Sequence, residues 1–317
     1  MKAILFIKAV LFTQLCYTQT TRITFKAPLF YPEGIAVNAT SGDFYTGSVK
    51  TGTIIKVSPQ GAVAPFYSDT SLKSSFGMKV DAKRSKLWVC TGDPNYSDYK
   101  DSSTYKKMIR LIGIDLSNGK KTDDIDLSNL YPGKHFANDL TLDDRGNIYV
   151  TDSYSPVVYK VDASGKASVL TQSDWFKSID LGLNGIVWHK NNYLLVAHSD
   201  GHLYKIDLSD PARITRVQHD SFFSGADGLL FDGEGSLILV QNKGTHKIFR
   251  LHSTDNWQSA KVVAATAATD RFIQPSTAVQ RGSQIYVVNS KLNELNDPTA
   301  IPSKEFSFQE VRFLPMK

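Results

Sequence analysis

Two carboxylates and two carboxamides recur in variants of one phrase of this sequence. They are Glu33 in Pro-Glu-Gly-Ile-Ala-Val-Asn, Asn138 in Ala-Asn-Asp-Leu-Thr-Leu-Asp, Asn184 in Leu-Asn-Gly-Ile-Val-Trp-His and Asp227 in Ala-Asp-Gly-Leu-Leu-Phe-Asp. Brought to one point, these side chains would form a hard-oxygen cage with a formal charge of −2. That donor set suits one Ca2+, which accepts roughly six to eight oxygens, water included. With neither His nor Cys in the set, zinc and copper are disfavoured, and Mg2+ prefers to keep more of its water. Mg2+, Mn2+ or Zn2+ stand as possible substitutes. An ion held this way would act as a Lewis acid on a carbonyl or phosphoryl oxygen and orient a water for attack.

Two further copies of the phrase carry Phe76 (Ser-Phe-Gly-Met-Lys-Val-Asp) and Ser276 (Pro-Ser-Thr-Ala-Val-Gln-Arg), neither a strong ligand. The markers stand at 33, 76, 138, 184, 227 and 276, at intervals of 43, 62, 46, 43 and 49. Each is followed by a turn and a second apolar run, such as Asn147-Ile148-Tyr149-Val150. In the clearer copies a third follows, such as Val157-Val158-Tyr159-Lys160-Val161. Short alternating runs with a period in the forties are the mark of a β-propeller blade. The expectation is an all-β, six-bladed propeller in one domain over residues 19–317, without the Gly-His and Trp-Asp signatures of the WD40 class. In a four-stranded blade the d-to-a and b-to-c loops share one face. A marker placed just before strand a, the innermost strand, therefore faces the mouth of the central channel. Asn-Gly and Asp-Gly are also common turn dipeptides. Five of the six a-to-b hairpins, however, have turn residues of their own, such as Ser41-Gly42 and Arg145-Gly146, so the markers are a separate set.

Hydrophobic residues make up 41%, charged 21% and aromatic 11% of the chain, which excludes disordered, collagen-like and coiled-coil classes. The net charge of +5 comes with no basic run longer than a pair, so nothing points to nucleic acid. Residues 1–18, with Lys2 and an apolar stretch over 3–12, read as a secretory signal peptide. The protein is thus expected to be secreted or periplasmic, outside the membrane in its mature form, and monomeric. Cleavage would leave Cys90, in Leu87-Trp88-Val89-Cys90, as the sole cysteine, expected to be buried and inert.

The phrases Pro32-Glu33-Gly34, Phe136-Ala137-Asn138-Asp139, Leu183-Asn184-Gly185 and Ala226-Asp227-Gly228 resemble those of the gluconolactonase/regucalcin superfamily of six-bladed propellers. That superfamily includes lactonases and diisopropyl fluorophosphatase. The resemblance covers roughly residues 25–315 and implies a catalytic divalent ion held by Glu33, Asn138, Asn184 and Asp227. It also implies Asp227 as base or nucleophile, and a small lactone or ester as substrate. Calcium-dependent lactone hydrolysis is the expected activity. Organophosphate hydrolysis, strictosidine-synthase-like condensation and a metal-stabilised ligand- or protein-binding module are the alternatives.

The b-to-c loops on the same face should supply the rest of the pocket. Asp93, Asp152, Lys243 and Asn289, with Phe76 and Ser276 from the ring, are the expected substrate contacts, and His198 is the expected second acid/base. Lys243 or Lys291 could steady an oxyanion. His135 reads as a surface-loop residue. The long interval of 62 places extra residues at 92–107, a polar, Tyr-rich stretch expected to form a lid or side wall.

Overall fold

A computed structural model describes residues 21–316; the expected signal peptide lies outside the described residues. The chain forms six antiparallel sheets. Their innermost strands are Pro32–Val37, Ser74–Asp81, Ala137–Leu142, Leu183–His189, Ala226–Phe231 and Pro275–Arg281, strand a of blades 1 to 6. Each touches the strand a of the next blade, and the sixth touches the first. The ring of sheets is therefore closed, as the spacing predicts. No helix among the described residues is long and apolar enough to cross a membrane.

Closure uses an element that the repeat does not reveal. The outer strand of blade 6 is Arg22–Lys26, paired antiparallel with Glu305–Glu310. Its sequence Arg-Ile-Thr-Phe-Lys alternates and buries Ile23 and Phe25. The Phe25 ring lies 4.8 Å from Phe308, which is itself 5.1 Å from Phe44 of blade 1. The first strand thus locks the last blade to the first, and the radial arrangement leaves only short outer sheet edges. Blade 5 gains a fifth strand, Phe313–Pro315, along Lys261–Thr266.

Each blade packs on both faces, so the second strands are buried almost throughout instead of alternating; Tyr193–His198 is buried at every position. Each large side chain taken from water contributes about 1.5–3 kcal/mol, which is how a fold lacking disulfides among the described residues holds together.

Every strand a carries a β-bulge at the same place. The register shifts between Pro32 and Ile35, Ser75 and Met78, Ala137 and Leu140, Leu183 and Ile186, Ala226 and Leu229, and Pro275 and Ala278. In each, two residues of strand a face one of strand b, and the marker is the first of the two. It therefore lies inside strand a and not before it as expected, and the bulge re-aims its side chain. The glycine that follows also has a reason other than a turn. A Cβ on Gly34 would stand 2.1 Å from the Phe76 carbonyl oxygen, and one on Gly185 2.2 Å from that of Asp227. These glycines let adjacent inner strands approach around the axis.

Candidate functional site

The bulges bring Glu33, Asn138, Asn184 and Asp227 to one mouth of the channel with only 7, 7, 6 and 5% of their surface exposed. Their backbone is tied down by neighbours. The Ser276 hydroxyl donates to the Glu33 carbonyl at 2.7 Å, joining blade 6 to blade 1, and the Thr151 hydroxyl donates to the Asn184 carbonyl at 2.7 Å. Their side-chain oxygens are less well supplied. The Asn242 amide donates to Asp227 Oδ2, and the Thr277 hydroxyl eases the Glu33 carboxylate. Glu33 Oε2 and Asn184 Oδ1, by contrast, are buried without any hydrogen-bond partner. Such orphaned acceptors are rare in folded proteins and point to an absent donor or cation.

Electrostatics point the same way. Burial, then the charges of Asp227 and Asp139, pushes the Glu33 carboxyl well above its ordinary range. Burial, then Asp139, does the same to Asp227 despite the opposing Asn242 hydrogen bond. Asp139 lies one residue past the marker of blade 3 and was not expected in the site. It is buried, with Oδ1 accepting from the Leu140 N–H at 2.8 Å and 3.9 Å from the Lys79 ammonium. Among the described residues, no group of three or more His, Cys, Asp or Glu gathers as a metal cluster. A cation here would thus need the carboxamides as well as the carboxylates. Hard, partly unsatisfied oxygens with net negative charge fit Ca2+.

The remaining polar side chains of this face, expected pocket residues among them, divide differently. Ser48, Asp152, His198, Gln241 and Asn289 all pair with the residue just before a bulge, at or near the end of strand b. Four of them hold the segment that leads into strand a. Ser48 donates to the Phe30 carbonyl at 2.6 Å and Gln241 to the Ser224 carbonyl at 3.1 Å. Asn289 accepts from the Ile273 N–H at 2.8 Å. Asp152 accepts from the N–H groups of Phe136, Tyr154 and Ser155 at 2.9, 3.0 and 3.1 Å. Its other oxygen meets His135 Nδ1 at 2.7 Å and the Tyr159 hydroxyl at 3.3 Å. Asp152 and Asn289 are fully buried and committed to the protein, so they clasp backbone where substrate contacts were expected. His135, expected on a surface loop, is buried against Asp152 for the same reason.

His198 is also buried. Its Nδ1 lies 2.8 Å from Asp200 Oδ1, and its Nε2 is enclosed without a partner. Asp93 is fully buried, accepting from the Thr104 hydroxyl at 2.8 Å to fold the blade 2 insertion. Lys243 is exposed, while Lys291 is engaged by Ser303 and the Glu305 carbonyl. Ser276 serves the Glu33 backbone as described.

The insertion is a fixed side wall. The Ser97 hydroxyl donates to the Lys73 carbonyl at 2.9 Å, the Asp98 N–H to the Lys50 carbonyl at 2.8 Å, and the His135 N–H to the Lys106 carbonyl at 2.9 Å. Phe76 packs 4.6 Å from Phe136 and 6.4 Å from Tyr96, and Tyr154 lies 5.5 Å from Phe136. Burial, then the charges of Glu33, Asp180 and Asp227, raises the Tyr96 phenol, so that hydroxyl lies within electrostatic reach of the ring. The expected contact Phe76 is thus part of an aromatic wall beside the oxygens. A groove of about 530 Å3 lies elsewhere, along Lys73, Lys107 and Arg110, and contains none of the ring residues.

No protein-family model matches the chain, and no curated protein matches it. Solved structures do. The major Malassezia sympodialis allergen Mala s 1 is similar with a TM-score of 0.74 and 16% identity, over 92% of this chain and 96% of that one. A luciferin-regenerating enzyme has a TM-score of 0.63 and 15% identity, over 92% and 96%. A gluconolactonase from Xanthomonas campestris has a TM-score of 0.59 and 13% identity, over 91% and 89%. The likeness is one of fold, the six-bladed propeller.

Proposed function

We propose that this chain is a Ca2+-dependent hydrolase of lactones working at the channel mouth. The observation that carries the reading is the pair of buried, partnerless acceptors, Glu33 Oε2 and Asn184 Oδ1, in one ring with Asn138 and Asp227. Leaving such acceptors unmatched costs about 1–3 kcal/mol each, and a bound cation would offset that. Glu33, Asn138, Asn184 and Asp227 would hold the ion, which when bound supplies Lewis-acid polarisation of the ester carbonyl. Asn242 fixes one oxygen of Asp227, leaving Oδ1 uncommitted to that bond and able to orient an attacking water. A carboxylate beside a cation is a poor base, so Asp227 is assigned positioning of that water before proton removal. The wall of Phe76, Phe136, Tyr96 and Tyr154 would shield the reacting ester from bulk water. A neighbour described as a gluconolactonase supports the choice of lactones within the propeller chemistries.

The test is a panel of lactones and aryl esters assayed with EDTA and after Ca2+ add-back. Hydrolysis should vanish with chelator and return with Ca2+, and Asp227→Asn should lower it by on the order of 10³-fold while the fold persists. A second reading, a metal-stabilised binding module, is favoured by the narrow mouth, whose ring residues are at most 7% exposed. A wild type that hydrolyses nothing on the panel, with ligand binding retained in Asp227→Asn, would select it.

A further inference from the structure

We propose that Lys79 is a built-in counter-ion of the ring, and that its ammonium weakens the ring's hold on a divalent cation. The inference rests on the proposed metal role. It starts from two departures from the repeat. Three residues past the marker, the six inner strands carry Ala36, Lys79, Thr141, Val187, Leu230 and Val279, and Lys79 alone is charged. One residue past the marker they carry Gly34, Gly77, Asp139, Gly185, Gly228 and Thr277, and Asp139 alone is neither glycine nor neutral. The two exceptions occur on adjacent blades and face each other, with Lys79 Nζ 3.9 Å from Asp139 Oδ1. Space for Asp139 is provided by Gly77, where a Cβ would stand 2.4 Å from that same oxygen.

The pair belongs electrically to the ring. Asp139 acts on both Glu33 and Asp227, and Lys79 is the cation that eases Glu33 and Asp139. Three buried carboxylates and one ammonium leave a local charge of −2 where the carboxylates alone would give −3. Lys79 remains 23% exposed, so water reaches its ammonium. A divalent ion entering the ring meets this fixed positive charge in a partly buried, weakly screened setting, where like charges repel far more than in bulk water. Blade 2, which brings the lysine, is also a blade whose marker, Phe76, offers no oxygen to a metal.

The experiment is calorimetric titration of Ca2+ into the wild type, Lys79→Met and Lys79→Arg, with melting curves of each in EDTA. Lys79→Met should bind Ca2+ about tenfold more tightly than the wild type, and Lys79→Arg within about threefold of it. Metal-free Lys79→Met should melt below the wild type, because its carboxylates have lost their counter-ion. Lys79→Met binding Ca2+ no more tightly than the wild type would overturn the proposal. Should Lys79→Met fail to fold, Asp139→Asn decides: about tenfold weaker binding supports the proposal, and unchanged binding overturns it. Absence of Ca2+ binding by the wild type and every variant would instead remove the metal reading of the ring, and this inference with it. A wild type that binds Ca2+ indifferently to residue 79 leaves the metal reading standing and removes this inference alone.

Discussion

Two sets of polar side chains repeat around the channel mouth, one at the bulges of strand a and one near the ends of strand b, and they differ in how far their polar atoms are supplied. In the second set Asp152 and Asn289 have their polar atoms committed to N–H groups and side chains around them. In the first set the backbone is tied and the side chains are left short of donors, with Glu33 Oε2 and Asn184 Oδ1 unmatched. Both sets are buried and both repeat at blade spacing, so neither burial nor repetition separates them. Hydrogen-bond satisfaction separates Asp152 and Asn289 from Glu33 and Asn184, although His198 of the second set also keeps an unpartnered Nε2. Asp152 and Asn289, fully supplied, maintain the fold, whereas the unmatched acceptors of Glu33 and Asn184 lie beside mutually repelling carboxylates, where a cation fits.

The sharpest way to break this distinction is to exchange the expected effects. Asp152→Ala strands three backbone N–H groups and His135, and should lower unfolding free energy by about 3 kcal/mol or more in a urea titration. It should leave Ca2+ affinity nearly unchanged in the variant that remains folded. Glu33→Gln should act in reverse: removing one of two mutually repelling buried carboxylates should stabilise the metal-free protein by about 1 kcal/mol at mildly alkaline pH and abolish the Ca2+-induced rise in melting temperature. If Glu33→Gln destabilised the metal-free protein as much as Asp152→Ala, the two sets would not differ in kind.

A smaller effect refines the same comparison. Glu33 and Asp227 are both raised when folded, so the metal-free native state holds protons that the unfolded chain has released. Their contribution to stability is complete below the ordinary carboxylate range and is lost as pH rises through the raised values. Melting temperature in EDTA should therefore decline as pH rises from acid toward neutral. The increment conferred by Ca2+, which needs both groups ionised, should grow over the same interval. Differential scanning calorimetry at fixed ionic strength reads both trends.

The blade count and the ring were legible because spacing in the forties is a property of the sequence and each marker precedes a recognisable apolar run. The bulge was not, since it depends on the register against strand b. The Asn-Gly and Asp-Gly dipeptides already suited turns, which concealed the close approach of neighbouring inner strands. Arg22–Lys26 alternates clearly but lies some 280 residues from its partner Glu305–Glu310, and no local pattern links them. Asp152 and Asn289 clasp the protein where substrate contacts are expected, because an acidic or amide residue at a loop on the active face looks identical whether it meets substrate or its own backbone. Asp139 and Lys79 were visible as exceptions within the aligned copies, and comparing positions beyond the marker would have found them.

A crystal structure grown with Ca2+ tests the central claim most directly. The account predicts a single ion at the channel mouth, about 2.3–2.6 Å from Glu33 Oε2 and Asn184 Oδ1 and bound also by Asn138 and Asp227. Ordered water alone between those oxygens at saturating Ca2+, with both acceptors satisfied by it, would contradict the account.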